Sequence, residues 1–455
     1  MRALIRPDVW KLTAPVLVEQ FFVNLLGSLG AIMAASLGTE AVSAIGNVEA
    51  FTLVISSLFS ALAIGATVIV AQSLGAGRRE RAGAAAQQAL ASGFVMALVI
   101  ALCTAVFGRS LLAALYPGAG VQLGEHMWQY LMFAAATYPL TALTLLACGT
   151  QRGAGNTRLA MQVNSLVTAL NVILGYMLIY GFELHTGWFN LSVPRLEVAG
   201  AGLAQWLARF AGCIFLVWAW SRDGLLFGLR DWHGFRFDGH LLHALYAIGI
   251  PASVESLAFN GGKLLVQVVV MTLGPAAVAA NYIAFSAVGI MNIPGNALSV
   301  ANTTLVGRDI GRGDDLAAEH TMRYMLRLGW IVTALIGVCF VPLVPVVVSL
   351  YASEPEVSRQ TCWLLWLNCA FLVVFPTTFI LPNGLRGAGD AKFAMITTII
   401  GMLIFRIGLG YVFGVVFGWG IAGVWMGMFT DWMLRSALYW WRLQSGRWRG
   451  RAVLG

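Results

Sequence analysis

A carboxylate and an amine lie within a run of the chain that is long and apolar enough to cross a bilayer. Glu255 and Lys263 both belong to the apolar run 241–273. A charge at the bilayer centre costs roughly 2.5–3.5 kcal/mol even on the lenient insertion scale, so both side chains should face a cavity, a partner or water. Along a helix the two positions lie about 12 Å apart, which is too far for a direct ion pair. We therefore expect a functional site here rather than a structural ion pair that locks helices together.

Other polar residues of the apolar runs are candidates for the same site. Glu19 lies early in the first run, where the alternative is a carboxylate near the cytoplasmic end that water solvates at little cost. Asn171 and Asn260 can hydrogen-bond a ligand or bridge helices, and bridging is the more common use. We predict that Glu255 and Glu19 take part in cation coupling, with Na⁺ a candidate ligand of Glu255. The predicted substrate cavity comprises Gln20, Asn24, Asn171, Phe259, Asn260 and Lys263.

The remaining charged residues of the apolar runs favour structural roles. Asp431 and Arg435 are spaced i,i+4, so they can pair on one helix face. Arg406 and Arg209 have no obvious local partner; backbone carbonyls or Asp431 could serve, and packing is the expected role. Glu49 opens the second run and is expected at the membrane interface.

Composition defines the class of protein. The chain has 455 residues, of which 59% are hydrophobic and only 11% are charged, whereas soluble domains have roughly 25% charged residues. Its six cysteines lie in or beside apolar runs without close pairs or metal-ligand spacing, and they read as small core residues. Windows of about 20 mostly apolar residues can be placed twelve times. The predicted spans are 13–37, 47–73, 84–108, 127–149, 159–181, 199–220, 243–272, 277–306, 322–350, 361–383, 393–417 and 420–442.

The distribution of basic residues predicts the orientation. Lys and Arg concentrate at the N-terminus, in every second loop and in the tail 442–451, whereas the opposite loops hold only Arg109, Arg195 and Arg359. By the positive-inside rule, both termini should be cytoplasmic, in a plasma or inner membrane. The same rule accounts for the net charge of +8, so no nucleic-acid partner is expected. The expected partners are the lipid bilayer and a small substrate, and a monomer is expected.

An internal repeat divides the chain into halves. With a shift of 234 to 236 residues, several short elements of the first half match elements of the second half in the same order. Because each half has an even number of spans, the repeats should be parallel, related by an axis along the membrane normal. We predict an N-terminal lobe at 1–220, a cytoplasmic linker at 221–242 and a C-terminal lobe at 243–455. The matches include Pro15-x-x-x-Glu19 with Pro251-x-x-x-Glu255, Gly75-x-Gly77 with Gly311-x-Gly313, and Arg152-Gly-Ala-Gly155 with Arg386-Gly-Ala-Gly389.

These elements resemble those of the multidrug and toxic compound extrusion (MATE) transporters over nearly the whole chain. The resemblance implies an all-α polytopic membrane protein with twelve transmembrane helices in two pseudo-symmetric six-helix lobes. It also implies export of organic cations or other amphiphiles against an inward Na⁺ or H⁺ gradient. The elements that carry it are Pro15-Val-Leu-Val-Glu-Gln20, Leu37-Gly38 through Ala44-Ile-Gly46, Gln72-Ser-Leu-Gly-Ala-Gly77, both Arg-Gly-Ala-Gly elements, Asn171-x-x-Leu174 and Val198-Ala-Gly-Ala-Gly202.

The sequence departs from the family pattern in the first half. Many relatives carry an aspartate in the first span and another shortly after the asparagine of the fifth span, where this chain has Gly30 and Gly175. The acidic position of the seventh span is retained as Glu255. The resemblance therefore implies that coupling depends on the C-terminal lobe, with Lys263 modulating Glu255 through intervening water.

The motifs that the sequence lacks narrow the function further. It contains no ATP-binding Gly-x4-Gly-Lys-Ser/Thr loop, no His-Glu-x-x-His element and no Gly-x-Ser-x-Gly element. No enzyme activity and no cofactor are therefore expected, and energy should come from a gradient or from the substrate itself. The first hypothesis is a cation antiporter that exports amphiphilic or cationic compounds by alternating access. The alternative is a flippase for lipid-linked precursors, which would need several basic residues in its cavity, and only Lys263, Arg209 and Arg406 are available. A membrane scaffold without transport would leave Glu255 without a purpose.

Overall fold

The structure is a computed structural model that describes residues 7–35, 39–118, 120–186, 189–221, 235–351 and 354–452. Nearly all of these residues are helical. The first half contains α1 (Pro7–Ala35), α2 (Thr39–Gly75), α3 (Arg79–Leu115), α4 (Val121–Gly153), α5 (Thr157–Tyr180) and α6 (Glu197–Trp220). The second half contains α7 (Gly239–Met271), α8 (Pro275–Met291), α9 (Ile293–Gly311), α10 (Asp315–Phe340), α11 (Val344–Tyr351), α12 (Pro355–Phe371), α13 (Phe375–Gly387), α14 (Ala391–Ile400) and α15 (Gly420–Gln444).

Short non-α elements complete the chain. A 3₁₀ turn at Val341–Leu343 joins α10 to α11, and two π-helical segments, Gly401–Leu409 and Val412–Val416, continue α14. Between α5 and α6, the antiparallel strands β1 (Phe182–Thr186) and β2 (Phe189–Val193) form a hairpin. The sequence analysis did not predict this hairpin, which lies in the connection between two predicted spans.

Every predicted span corresponds to a helix or a pair of helices in the described part of the chain. Among the described residues, nine helices are long and apolar enough to cross a membrane by length and composition, and two bent pairs, α8 with α9 and α12 with α13, raise the number to eleven. The twelfth predicted span is α15, which is not among these and carries the buried charges Asp431 and Arg435. The bends of 48° and 54° fall beside Pro294 and Pro376, because proline lacks the N–H that would continue the helical ladder.

Side-chain burial follows the pattern of a membrane protein. Large apolar side chains point outward, as for Val106 on α3 (69% exposed) and Val338 on α10 (72% exposed). Inward-facing positions of α3 are small residues such as Ala82, Gly83 and Ala86. Small residues let helix backbones approach closely where lipid removes the usual hydrophobic drive for association. The apolar outer surface is therefore suited to lipid.

The contacts within the chain divide it into two compact units. One contains residues 1–17, 67–78 and 246–455, and the other contains residues 18–66 and 79–245. In the second unit, α3 packs on α4 and α5 packs on α6. In the first unit, α9 packs on α13, and α15 packs on the π-helical segment Gly401–Leu409. Residues 222–234 of the predicted linker lie outside the described residues, and the predicted lobe boundaries stay a prediction.

Glycines allow a close approach between α15 and the π-helical segments. A Cβ atom added to Gly427 would lie 2.5 Å from the backbone nitrogen of Gly410, and one added to Gly414 would lie 2.6 Å from a side-chain methyl of Val424. A Cβ on Gly401 would collide with the carboxylate of Asp431. The backbones therefore lie as close as they do because these positions lack side chains, and this contact brings Arg406 of the π segment to Asp431 of α15.

Candidate functional site

Glu255 lies on α7, one turn after Pro251, and is 7% exposed. One carboxylate oxygen, Oε1, lies 2.6 Å from Nη2 of Arg386 on α13 and accepts a hydrogen bond of 2.8 Å from the hydroxyl of Thr398 on α14. The other oxygen, Oε2, is buried and has no hydrogen-bond partner among the described residues. We call Glu255, Arg386 and Thr398 the C-triad.

A tyrosine extends the C-triad. The hydroxyl of Tyr439, on α15, lies 3.1 Å from that of Thr398 and donates to the backbone carbonyl of Ala394. A hydroxyl both donates and accepts. Thr398 can thus donate to an ionised Glu255, or accept from a protonated Glu255 while donating to Tyr439. The network therefore gives Oε1 of Glu255 a hydrogen-bond partner in both protonation states.

Glu19 has closely similar surroundings in the other unit. Its side chain is buried on α1, where it forms an ion pair with Arg152 of α4. The side-chain amide of Asn164, on α5, donates to the same carboxylate oxygen over 2.6 Å. The other carboxylate oxygen is buried without a partner among the described residues. We call Glu19, Arg152 and Asn164 the N-triad.

The two triads occupy corresponding positions of the internal repeat. Glu19 and Glu255 differ by 236 in number, and Arg152 and Arg386 differ by 234, as do Asn164 and Thr398. The repeat has therefore preserved an ion pair and one neutral hydrogen-bond donor, while the donor itself differs between an amide and a hydroxyl. In each half, the ion pair joins a carboxylate to the arginine of an Arg-Gly-Ala-Gly element.

A cavity of about 510 Å³ lies in the unit that contains the C-triad. We call it the C-cavity. Apolar and aromatic residues form most of its wall, together with neutral amides and two basic residues. The wall comprises Phe259, Lys263, Val266, Gln267, Asn281, Phe285, Val288, Gly289, Asn292, Asn296, Phe375, Phe379, Arg406, Val424, Trp425, Met428 and Trp432.

A second cavity, of about 440 Å³, lies in the unit that contains the N-triad. We call it the N-cavity. Its acidic residue is Glu49, which accepts a 2.5 Å hydrogen bond from the Tyr130 hydroxyl and a longer one from Gln205. Glu49 thus lies at a cavity wall, and its expected position at the membrane interface stays a prediction. The wall comprises Gly27, Met33, Val42, Ile45, Gly46, Glu49, Tyr130, Asn171, Gly175, Ile179, Ala201 and Gln205.

The predicted site residues fall into three groups. Glu19 and Glu255 belong to the triads and are not part of either cavity wall. Phe259 and Lys263 line the C-cavity, and Asn171 lines the N-cavity.

Gln20, Asn24 and Asn260 line neither cavity. Gln20 and Asn260 are half-buried, while Asn24 is exposed and donates to the backbone carbonyl of Gln20. The functional roles assigned to all of these residues stay predictions.

Sequence reasoning missed the partners of the predicted carboxylates. Glu255 pairs with Arg386, and the ammonium of Lys263 lies 4.8 Å from the ring centre of Phe259. The predicted action of Lys263 on Glu255 through water stays a prediction. The signal for the true partner was present, because the Pro-x-x-x-Glu and Arg-Gly-Ala-Gly elements repeat at nearly the same shift. Arg406, expected only to pack, also lines the C-cavity.

The pairing expected within the last span is confirmed. Nε of Arg435 lies 2.7 Å from Asp431, and Arg406 also pairs with Asp431, at 3.1 Å.

Comparison with known proteins places the chain in a family. The sequence profile of the MatE family matches residues 15–177 and again residues 251–412. The chain belongs to this family, the MATE transporters. The two matches also confirm the internal repeat, and the fold is that of an all-α polytopic membrane protein with twelve transmembrane helices in two pseudo-symmetric lobes.

Individual relatives agree with this assignment. The chain is 26% identical to a probable multidrug resistance protein NorM of Thermotoga maritima, over 99% of this chain and 94% of that protein. It is also 26% identical to an uncharacterized transporter YisQ of Bacillus subtilis, over 97% and 94%. A solved outward-facing structure of a multidrug resistance MATE family transporter has the same fold, with a TM-score of 0.87 at 21% identity and 96% of each chain covered. The protein is thus an integral membrane transporter.

Proposed function

We propose that this transporter exports amphiphilic compounds by antiport against an inward cation gradient, through alternating access. Membership of the MatE family and the relatives named as multidrug resistance proteins support this proposal. Each cavity combines an apolar wall with a few polar groups, which is typical of sites for small amphiphilic molecules.

The observation that carries the coupling role is the C-triad. A carboxylate at membrane depth is expensive and usually marks an ion or proton pathway. Glu255 can receive a proton on Oε1, the oxygen that contacts Thr398, and the Thr398 hydroxyl can then accept from the resulting acid. A Na⁺ ion would lie next to the Arg386 guanidinium, only 2.6 Å from the carboxylate, and the two positive charges would repel. We therefore favour H⁺ over Na⁺ as the coupling ion.

Protonation would act on the ion pair between α7 and α13. A neutral Glu255 no longer attracts the Arg386 guanidinium, so the ion pair that joins the two helices weakens. A ligand shifts a conformational equilibrium only through different affinities for the two states. A proton that binds the C-triad more tightly in one conformation of the transporter would favour that conformation. The exported compound would favour the other conformation.

The N-cavity is the proposed place for a cationic substrate. Its wall contains the carboxylate of Glu49 and no basic residue. A positive charge there would be attracted to Glu49, while the aromatic ring of Tyr130 can contact the apolar part of the compound. Neutral amides of Asn171 and Gln205 provide hydrogen bonds.

A flippase for lipid-linked precursors is less well supported. Of the three basic residues available for it, Lys263 and Arg406 line one cavity, but Arg209 lines neither described cavity. A cavity of about 510 Å³ accommodates a drug-sized molecule. We retain export of small amphiphiles as the proposal.

Localisation and assembly belong to the same proposal. The charge distribution supports an inner-membrane protein with both termini in the cytoplasm, acting as a monomer. Reporter fusions after Gly77 and at the C-terminus should both report a cytoplasmic position. A fusion after Gly77 that reports the outer side would overturn this orientation.

The test is efflux from a drug-hypersensitive host that expresses the full chain. We expect accumulation of a fluorescent amphiphilic drug to fall compared with the empty vector, and a protonophore to abolish the difference. Imposing or removing a Na⁺ gradient at constant pH distinguishes the two ions. Efflux that survives collapse of both gradients would overturn the antiport proposal.

A further inference from the structure

The C-cavity is positively charged. Lys263 and Arg406 are its basic residues, and its wall contains no acidic residue. Its other polar groups are neutral amides of Gln267, Asn281, Asn292 and Asn296 and the indoles of two tryptophans. An organic cation in this cavity would meet two like charges and no opposite one.

The positive charge is not balanced by the neighbouring residues. Asp431, behind the cavity wall, pairs with both Arg406 and Arg435, so one carboxylate serves two guanidinium groups. Lys263 has no carboxylate partner among the described residues. Its ammonium lies 4.8 Å from the ring centre of Phe259, and the guanidinium of Arg406 lies 5.4 Å from the same centre. Cation–π contacts contribute only about 0.5–2 kcal/mol, so they hold these groups in place without neutralising them.

A buried donor of the cluster also lacks an acceptor. Arg406 is only 5% exposed, and its Nε has no hydrogen-bond partner among the described residues. Leaving a buried donor unsatisfied costs about 1–3 kcal/mol, and more for a charged group. Because Arg406 lines the cavity, an incoming anion would offset the cost of its buried charge. Lys263, on the same cavity wall, offers three donors of its own.

The rest of the wall is suited to a flat apolar molecule. The rings of Phe285 and Trp425 lie 5.0 Å apart between their centres, and Phe259, Phe375 and Phe379 also face the cavity. The indole N–H of Trp425 is already bonded to Asn281 and its side chain is buried, so the more exposed ring of Phe285 offers the aromatic surface for a ligand. Aromatic side chains bind apolar rings through burial and offset stacking.

We propose that the C-cavity binds anionic aromatic amphiphiles, with a carboxylate or sulfonate held between Lys263 and Arg406 and the ring system against the aromatic wall. This inference rests on the proposed export function and specifies one class of its substrates. Anionic compounds would then be a second class of substrates besides the cationic compounds proposed for the N-cavity, whose acidic residue is Glu49.

The test measures binding by the purified full chain in phosphatidylcholine nanodiscs, without any ion gradient. Isothermal titration with naphthalene-2-sulfonate is compared with the matched cation, naphthyl-2-trimethylammonium, and heats from empty nanodiscs are subtracted. We expect the Lys263→Gln variant to bind the sulfonate about tenfold more weakly, which corresponds to about 1.4 kcal/mol. Lys392→Gln is the control, because Lys392 is exposed at the start of α14 and does not line the cavity. Its affinity should equal that of the wild type.

Charge reversal guards against a trivial loss of folding. Lys263→Glu should lose the sulfonate and gain affinity for the trimethylammonium compound, a gain that a misfolded protein would not show. Unchanged sulfonate affinity in both Lys263 variants would overturn the proposal. So would a wild-type protein that binds only the cation.

One further arm separates an exported anion from a lipid headgroup. The sulfonate titration is repeated in nanodiscs with phosphatidylglycerol. A modest loss of affinity, explained by surface charge, supports the proposal; complete loss would assign the cavity to the anionic lipid and overturn it. Because binding needs no gradient, a protein that binds the sulfonate but drives no efflux would contradict the export function alone. A protein with gradient-driven efflux and no sulfonate binding would contradict the cavity assignment alone.

Discussion

The N-triad and the C-triad are two versions of one arrangement, and they differ in the atom that completes it. In the N-triad, the nitrogen of the Asn164 amide donates to Glu19 and cannot accept in return. In the C-triad, the Thr398 hydroxyl can do both, and Tyr439 continues the hydrogen-bond chain. The Asn164 amide nitrogen can therefore bond Glu19 only as a donor, whereas the Thr398 hydroxyl can bond Oε1 of Glu255 in either protonation state. On this difference we propose a structural role for Glu19 and a coupling role for Glu255.

Burial of the carboxylates supports the same division. The side chain of Glu19 is 3% exposed and that of Glu255 is 10% exposed. A proton must reach the coupling group during each cycle, and the more exposed carboxylate is easier to reach. The less exposed carboxylate, Glu19, should cost more folding stability when its partner is removed.

Removing the arginines should produce the largest losses of stability. The size of each loss shows which triad contributes more to the stability of the fold. Breaking a buried ion pair from one side typically costs about 3–5 kcal/mol, because a charge stays buried and unpaired. We expect Arg152→Met to lie at the upper end of that range and Arg386→Met to lose less, since Glu19 is the more buried carboxylate. Thermal unfolding of the detergent-purified variants measures the order.

The double variants provide the control for this prediction. Glu19→Gln combined with Arg152→Met removes both charges and should recover much of the lost stability. Arg386→Met proving the less stable of the two single variants would contradict the division of roles drawn from burial.

When transport is measured instead of stability, neutralising the carboxylates should have the larger effect in the C-triad and the smaller effect in the N-triad. Glu255→Gln retains the shape of the side chain and removes the titratable group, so gradient-driven efflux should fall to the empty-vector level at near-normal expression. Glu19→Gln should reduce efflux only in proportion to any loss of folded protein. Glu356→Gln is the matched control, because Glu356 is an exposed residue paired with Arg359. Wild-type efflux from well-expressed Glu255→Gln protein would end the coupling proposal, and inactive Glu19→Gln protein beside it would move coupling to the N-triad.

The helices that carry the neutral donors provide a further contrast. Asn164 lies on α5, which is a regular α-helix, whereas α14, which carries Thr398, continues into the π-helical segment Gly401–Leu409. An alanine at position 401 would push its methyl group into Asp431 and Arg435. Overpacking of this kind typically costs about 1–3 kcal/mol, so Gly401→Ala should lower the unfolding temperature. Gly408→Ala, in the same segment, meets only ordinary contact with a backbone oxygen at 3.6 Å and should change it little. Equal effects of the two substitutions would contradict this account of the close helix packing.

The order of the spans and the repeat could be predicted from the sequence, since twenty-residue apolar runs and collinear matches are local signals. The burial of Glu255 was predictable for the same reason, because it lies inside such a run. Its partner was not, because Arg386 is distant in the chain and only the tertiary fold brings its side chain to Glu255. The sequence signal for this pair was that the Pro-x-x-x-Glu and Arg-Gly-Ala-Gly elements repeat at nearly the same shift.

The role of Arg406 illustrates a different limit. Its place on the C-cavity wall depends on the π-helical segment, whose wider turn changes the direction in which later side chains point. The α-helical period of 3.6 residues, applied to the sequence, does not predict that change of direction. The hydrogen-bond partners of Glu49 were likewise not predicted, because its carboxylate meets Tyr130 and Gln205 from two other helices.

The smallest expected effect tests the difference between the triads most directly. Thr398→Asn places the donor of the N-triad in the C-triad and should retain the bond to an ionised Glu255. It removes the hydroxyl that accepts from a protonated Glu255, so proton-driven efflux should slow several-fold while stability changes little. Thr398→Ser keeps the hydroxyl and should preserve the rate, and Asn164→Thr should leave efflux unchanged, because Glu19 does not couple. A Thr398→Ser variant as slow as Thr398→Asn would mean that the methyl group and its packing, not the hydroxyl, distinguish the two triads. In that case Glu255 would lose the physical reason for its coupling role, even if Glu255→Gln were inactive.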